Sequence, residues 1–212
     1  MVQALDDLKF PSDLRMVDRR ALAADENECR QMLHTALLQN APAAVCYPQG
    51  HGAGVAVNSE LRGVPLGQRE VRRTVTPSRR LNVAILVFGT LLSGCLVAAQ
   101  RLDATVANMR FVKPLDERLF IELANDHDVL VTLEDGCIKG GAGSACVEYL
   151  LTAGVCRPTL QLGFDDRFMQ QGTAQELLIA CRLDAEGIYQ SIGDFLSRLN
   201  AGSATAVAGG VA

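Results

Sequence analysis

Residues 83–88 constrain the fold of this chain more than any other stretch. They read Val-Ala-Ile-Leu-Val-Phe, an unbroken apolar run between Asn82 and Gly89. A strand wetted on one side alternates apolar and polar residues. An unbroken run belongs in a sheet covered on both faces, and such sheets are mostly parallel. The residues downstream of the run agree. The spacing predicts a helix over Leu91–Leu102, with Leu92, Cys95, Leu96, Ala99 and Leu102 on one side, then a strand over Thr105–Met109. A second helix is predicted over Asp116–Asp126, with Leu119, Phe120, Leu123 and Ala124 inward, and a strand over Val129–Leu133. A third helix over Gly140–Ala153 leads to a strand over Thr159–Leu162. Helices over Thr173–Cys181 and Ala185–Leu199 close the pattern. Strand–helix alternation with right-handed crossovers gives an α/β fold: a three-layer, mostly parallel sheet over residues 81–200. No internal repeat is visible.

Upstream the organisation differs. Residues 1–20 are charged and weakly patterned, so a loose segment is expected there. Asp25 is placed to cap a helix, with Glu28 three residues on as in a capping box. Cys29, Met32, Leu33, Ala36 and Leu37 give that helix one apolar stripe, and Asn40 and Pro42 end it. Ala43–Tyr47 reads as a short strand stopped by Pro48. Residues 50–80 hold five glycines, two prolines and six arginines, and are expected to be a connector between domains. Gln68–Val75 inside it is expected to be extended. The segment after Asn200, at 201–212, is small and polar in composition and is expected to be disordered.

Composition excludes several classes. The net charge of −4 gives no general attraction to nucleic acid or to an anionic membrane. The connector arginines come without aromatic residues on which bases could stack. The seven cysteines, Cys29, Cys46, Cys95, Cys137, Cys146, Cys156 and Cys181, form no C-x-x-C pair, which speaks against zinc and for a reducing compartment. The first ten residues carry acidic side chains and lack the apolar core of a signal peptide. The apolar run at 83–88 is far too short to span a bilayer. A cytoplasmic protein is expected, with neither nucleic acid nor membrane as partner.

Several segments together resemble one family. Asp25-Glu-Asn-Glu-Cys-Arg-Gln-Met-Leu33 is similar to the closing helix of the pyrimidine-binding domain in 1-deoxy-D-xylulose-5-phosphate synthases. Val64-Pro-Leu-Gly67, Leu86-Val-Phe-Gly-Thr90 and Asn108-Met-Arg-Phe-Val-Lys-Pro-Leu-Asp116 resemble successive segments of the same enzymes. So do Val131–Val147, with Glu134 and Gly140-Gly-Ala-Gly-Ser144, and Gln171-Gly-Thr173. The order and spacing fit over roughly residues 24–200.

The resemblance implies a transketolase C-terminal-like domain at 81–200, a remnant of the pyrimidine-binding domain at 1–49 and a connector at 50–80. It further implies a thiamine-diphosphate-dependent transferase that decarboxylates pyruvate and joins the two-carbon unit to glyceraldehyde 3-phosphate, feeding isoprenoid synthesis. In that family the cofactor diphosphate and Mg²⁺ are bound through a Gly-Asp-Gly…Asn motif, and a glutamate of the pyrimidine domain activates the aminopyrimidine. This sequence has no Gly-Asp-Gly. No residue is assigned as catalytic, cofactor-binding or metal-binding. The chain alone is expected to hold no cofactor and not to catalyse. It is expected to form a homo-oligomer or to join a chain carrying the missing domains.

One substrate element departs from the pattern. Where the family reads Arg-Tyr-Pro-Arg-Gly, this sequence reads Cys46-Tyr-Pro-Gln-Gly50. A bidentate arginine clamp on phosphate is worth on the order of a few kcal/mol, and cysteine and glutamine do not replace it. Tyr47, Gln49 and His51 are the substrate-proximal candidates. The departure supports an alternative, a degenerate homologue acting as a dimerisation or regulatory module.

Other candidates have structural readings beside functional ones. Gly140, Gly141, Gly143 and Ser144 open a helix, whose free N–H groups suit an anion; close packing of helix on sheet is the favoured account. Glu134 and Asp135 follow a strand at its carboxyl end, where α/β sheets bind ligands, but capping or an interface explains them as well. His34, His51 and His127 are too scattered for one site; His127 ends a helix, where a cation is favourable. The stripe Cys29, Met32, Leu33, Leu37 is expected to pack on the C-terminal domain, a second copy or a partner, because burying such side chains stabilises by roughly 1.5–3 kcal/mol each.

Overall fold

The computed structural model describes residues 19–48, 52–76, 81–169 and 171–208. The order of elements is β1 (Arg20–Leu22), α1 (Glu26–Leu37), β2 (Ala44–Cys46), β3 (Glu70–Arg73), β4 (Val83–Phe88), α2 (Leu92–Leu102), β5 (Thr105–Asn108), β6 (Phe111–Lys113), α3 (Glu117–Asp126), β7 (Val129–Cys137), α4 (Ala142–Thr152), β8 (Thr159–Phe164), α5 (Ala174–Ala180) and α6 (Ala185–Ala208).

The apolar run is β4, the centre of a five-stranded sheet of order β3-β5-β4-β7-β8. β4 pairs in parallel with β5 and β7, β7 pairs in parallel with β8, and only β3 runs antiparallel. All six residues of β4 are buried. Val83, Ile85 and Val87 enter a cluster with Leu92 and Cys95 of α2 and with Ile188 and Ile192 of α6. Ala84, Leu86 and Phe88 enter a second cluster with Phe120 and Leu123 of α3 and with Cys146 and Leu150 of α4. Alternate side chains of one strand thus feed two layers of helices, which is why the run is unbroken. The three-layer, mostly parallel α/β architecture is present.

β1, β2 and β6 form a smaller sheet of order β2-β1-β6. β1 pairs in parallel with β2 and antiparallel with β6. Met32 of α1 packs on it against Ala21, Ala23, Val64 and Phe111. Phe111 comes from the larger half of the chain, so part of the α1 stripe packs on the C-terminal region. Leu33 and Leu37 remain 45% and 84% exposed.

Several boundaries differ from the sequence reading. The stretch expected to be loose lies, up to residue 18, outside the described residues; β1 begins at its last residue, Arg20, and neither β1 nor β6 was anticipated. Both are three residues long, too short for a period-two pattern, and both exist through pairing between distant segments. The expected extended stretch Gln68–Val75 holds β3, so the connector contributes an edge strand to the main sheet. β7 continues past Leu133 to Cys137. α6 runs through Ala208 instead of stopping at Leu199, so residues 201–208 are helical where disorder was expected. Alanine, frequent in that stretch, has the highest helix propensity of any residue.

Candidate functional site

The topology creates a crevice at the carboxyl ends of β4 and β7. The chain leaves β4 toward α2 on one face and leaves β7 toward α4 on the other. Neighbouring loops that diverge in this way are where α/β sheets usually bind ligands. Thr90, Glu134 and Asp135 occupy the place. The Thr90 hydroxyl donates to Asp135 Oδ2 at 2.5 Å. Burial pushes the Asp135 carboxyl above the ordinary carboxylate range, and the Thr90 hydrogen bond partly opposes that. Gly89, at φ +89°, lies against Asp135 and against Leu22 of β1. The smaller sheet thus covers this corner.

Glu134 is 4% exposed. Its carboxylate accepts from Ala142 N at 2.8 Å and from Gly143 N at 2.9 Å, at the positive end of α4. Burial raises its pKa, and the two backbone donors pull it back. The predicted anion turn is therefore filled by the chain's own anion. Gly140 N donates to Ser144 Oγ at 3.2 Å and Gly141 N to Ile138 O at 3.3 Å, so the four N–H groups from Gly140 to Gly143 all have internal partners. The glycines serve close approach. A Cβ at Gly141 would collide with Glu134 Oε2 and the Cys137 carbonyl, and one at Gly143 with Thr132 Oγ1.

The substrate-proximal candidates lie elsewhere. Tyr47 follows β2 on the smaller sheet and is 65% exposed. Gln49 and His51 fall outside the described residues. Cys46 ends β2, and burial pushes its thiol up, with Arg20 opposing. His34 is half-buried on α1. His127 is buried, its Nδ1 at 2.9 Å from Leu123 O and its Nε2 at 2.8 Å from Thr105 Oγ1. A carbonyl only accepts, so Nδ1 carries the proton, and Nε2 pairs with the threonine hydroxyl. The four connector arginines among the described residues are committed to pairs: Arg62 with Glu60, Arg69 with Asp116, Arg72 with Glu70, and Arg73 with Asp103.

A polar clasp that the sequence reading missed joins the two sheets. Asp25 caps α1, its Oδ1 accepting from Glu28 N at 2.8 Å. The reciprocal half of the expected capping box is absent. The Glu28 carboxylate turns inward, where it accepts from Ala24 N at 2.8 Å, Asn108 Nδ2 at 2.9 Å and Arg110 Nε at 2.6 Å. Arg110 Nη2 also donates to Glu70 Oε2 at 2.6 Å. Arg110 sits between β5 and β6 at φ 59°, a backbone region rare for residues other than glycine. There the chain leaves one sheet and joins the other. Gln31 and Thr35 continue the buried polar row of α1. Gln31 Nε2 donates to Glu60 O at 2.8 Å, and Val64 N donates to Thr35 Oγ1 at 2.6 Å. The signal was present: Glu28, Gln31 and Thr35 recur at helical spacing beside the apolar stripe.

Fold and site together define a class. Residues 74–188 match the family described as "Transketolase, C-terminal domain", and the chain belongs to that family. Its relatives are more particular. The chain is 58% identical over 170 residues to the 1-deoxy-D-xylulose-5-phosphate synthase of Paraburkholderia xenovorans (strain LB400), covering 80% of this chain and 27% of that protein. It is 58% identical over 176 residues to the enzyme of the same name from Burkholderia orbicola (strain MC0-3), covering 82% of this chain and 28% of that one. The chain thus spans little more than a quarter of the length of these relatives. Among solved structures, a split-gene transketolase, described as an inactive β4 tetramer, shares the fold at a TM-score of 0.65 and 23% identity, over 84% of this chain and 57% of that one.

The described residues do not fit a diphosphate–magnesium site. No group of three or more His, Cys, Asp and Glu side chains among them converges to hold a metal ion. The helix-opening turn best suited to phosphate is already occupied by Glu134. Among the described residues no helix is long and apolar enough to cross a membrane.

Proposed function

We propose that this chain serves as the C-terminal portion of a 1-deoxy-D-xylulose-5-phosphate synthase-type transferase, active only with a polypeptide that supplies the cofactor-binding segments. In the whole enzyme, thiamine diphosphate and Mg²⁺ carry the condensation of pyruvate with glyceraldehyde 3-phosphate that leads to isoprenoid precursors. The assembly is oligomeric and cytoplasmic in this reading. The observation that carries it is the 58% identity to such synthases along four fifths of the chain. The chain's own contribution is to bring the Asp25–Leu33 and Asn108–Asp116 segments together through the Glu28–Arg110 clasp, fixing the smaller sheet against the C-terminal domain.

A second reading, a non-catalytic dimerisation or regulatory module, is favoured by Cys46. Burial pushes its thiol pKa up, and where the family carries arginine it offers a phosphate no positive charge. One experiment separates the two. The chain is titrated calorimetrically with thiamine diphosphate and Mg²⁺, and pyruvate consumption is followed with and without a polypeptide carrying the preceding segments of a relative. Turnover only in the mixture is the expected result. Turnover by the chain alone would overturn the need for a second polypeptide, and inactivity in a stably formed mixture would select the non-catalytic module.

A further inference from the structure

β7 and β8 lie side by side under α4, and their ladder brings three polar side chains together there. Thr132 of β7 and Gln161 of β8 are partners in register. Thr132 stands midway between Leu130 and Glu134, so all three side chains project from β7 on the face that α3 and α4 cover. Thr132 is fully buried, and its hydroxyl has no hydrogen-bond partner among the described residues. The Gln161 amide nitrogen is sealed from solvent and equally unpartnered. A buried donor or acceptor left unpaired is costly, and few persist in native proteins. Glu134 accepts from two backbone N–H groups, and a carboxylate has capacity for about four donors. The three groups converge beside Gly143. A Cβ there would press on Thr132 Oγ1 and lie 3.2 Å from both Gln161 Nε2 and Glu134 Oε1. Cys146, fully buried on α4, adds no charge: burial, helped by the Glu134 carboxylate, pushes its thiol up to about 12. Among the described residues no cation pairs with Glu134.

We propose that this junction is a binding site for one ordered water, which accepts from the Gln161 amide, shares a hydrogen bond with the Thr132 hydroxyl and donates to Glu134 Oε1. The set of groups selects the occupant. A metal ion or an ammonium gains nothing from the Gln161 N–H, and an anion is repelled by Glu134. A species that both donates and accepts satisfies all three groups at once. Three partners is the usual number for a buried water. Polar atoms that all lie within 3.2 Å of one point are close enough together to share it. The water then ties the edge strand β8 to the first turn of α4 through side chains, beyond the ladder between β7 and β8. It also gives Glu134 a third donor, which favours the charged carboxylate that holds Ala142 N and Gly143 N.

The inference goes beyond the catalytic reading and is measured on the full chain without cofactor, so either can fail while the other stands. In a high-resolution crystal structure a water is expected about 2.7–3.2 Å from Thr132 Oγ1, the Gln161 amide and Glu134 Oε1. A direct hydrogen bond between Thr132 and Gln161 that leaves no room for a third group, or a cation at the junction, overturns the proposal. In solution, nuclear magnetic resonance is expected to show cross-relaxation between a long-lived water and the Ala142 and Gly143 amides. Thr132→Val keeps the side-chain shape, removes the hydroxyl and should abolish that signal. It also removes a support of the carboxylate, so Glu134 should titrate at higher pH than in the parent, followed through its carboxyl carbon shift. Gln161→Leu, at a half-buried position of the edge strand, should act in the same direction. Far-UV circular dichroism checks that both variants stay folded, and Gln161→Leu carries the test if Thr132→Val does not fold. A folded variant that keeps both the water signal and the parent's Glu134 titration overturns the proposal.

Discussion

Every residue of β4 is buried, and its side chains divide between two apolar clusters. No residue of β2 is buried, and β1 buries one of three. The main sheet is held by apolar surface on both faces. The smaller sheet has one modest cluster, around Met32, and relies on directional contacts: the Glu28–Arg110 clasp, the Thr35 hydroxyl at Val64, and the side chains of Glu26, Asn27 and Gln31 that hold Gly54, Asn58 and Glu60. Apolar burial is non-directional and tolerates approximate geometry, whereas a buried ion pair specifies one arrangement. One chain thus uses the first to make a domain and the second to position segments beside it.

The largest effect that tests this contrast comes from paired core truncations. Phe120 of α3 is fully buried, in the cluster with Leu86 and Phe88 of β4. Phe120→Ala should cost about 3–5 kcal/mol of global stability in urea unfolding. Met32→Ala should cost less globally, about 2 kcal/mol, and should speed hydrogen exchange in α1 and β1 while β4 and β7 stay protected. If both substitutions lower protection uniformly over the chain, the two sheets unfold as one unit and the contrast breaks.

Next in size is the clasp. Glu28 is 7% exposed, and Arg110, at 19% side-chain exposure, retains Glu70 as a second partner. Removing one member of a buried pair strands the other, so Glu28→Ala should cost about 2–3 kcal/mol, below the full penalty because Glu70 remains. Glu28→Gln keeps an acceptor and should cost less. Exchange rates in α1 and β6 are the readout. A loss confined to the Asp25 cap region would mean that Glu28 acts only locally, as the capping box supposed.

Asp135 sharpens the contrast from the other side. It is a half-buried carboxyl whose hydrogen-bond partner is the Thr90 hydroxyl rather than a cation. Burial disfavours its charged form, so the folded chain holds that proton to higher pH than the unfolded chain does. Between those two points the unfolded state binds fewer protons, and stability falls as pH rises. Asp135→Asn keeps an acceptor for Thr90 and removes the titration. Melting temperatures of variant and parent should therefore diverge in the variant's favour as pH is raised from the acid side of the aspartate range to neutrality. Parallel profiles would show that Asp135 carries its charge inside the fold at no cost.

How much of this was legible depended on whether the cause was periodic. The β4 run, the stripes of α2 and α3 and the alternation from Leu81 onward are patterns of burial, and they appear in the sequence because the burial is repetitive. β1 and β6 are three residues each and are defined by a pairing between segments far apart in the sequence, which no local window contains. The site was readable as segments but not as a site. Asp25–Leu33 and Asn108–Asp116 stood out, yet that Glu28 of one meets Asn108 and Arg110 of the other is decided only by the chain's passage between sheets at Arg110. At the glycine turn close packing was the favoured account, and the turn also holds a carboxylate of the chain itself. The anion is Glu134, eight residues before Ala142, a pairing that a motif scan of the turn alone does not reveal.

The smallest expected effect is at Leu37, and it concerns the outer face of α1. The stripe divides around the helix. Met32 lies 1% exposed under the cluster with Phe111, while Leu37, five residues on, is 84% exposed. A side chain that exposed loses little surface on folding, so transfer energy predicts almost no stabilisation from it. Serine also has a modestly lower helix propensity than leucine. Leu37→Ser should therefore change stability by less than about 0.5 kcal/mol in urea unfolding of the isolated chain. The same substitution becomes informative in the mixture with a polypeptide carrying the preceding segments. If that polypeptide covers α1, Leu37→Ser should weaken association while leaving the chain's own unfolding unchanged. A large loss of stability in the isolated chain would instead mean that Leu37 is already covered, by the chain itself or by a second copy, and the division between a self-sufficient sheet and a dependent one would have to be redrawn.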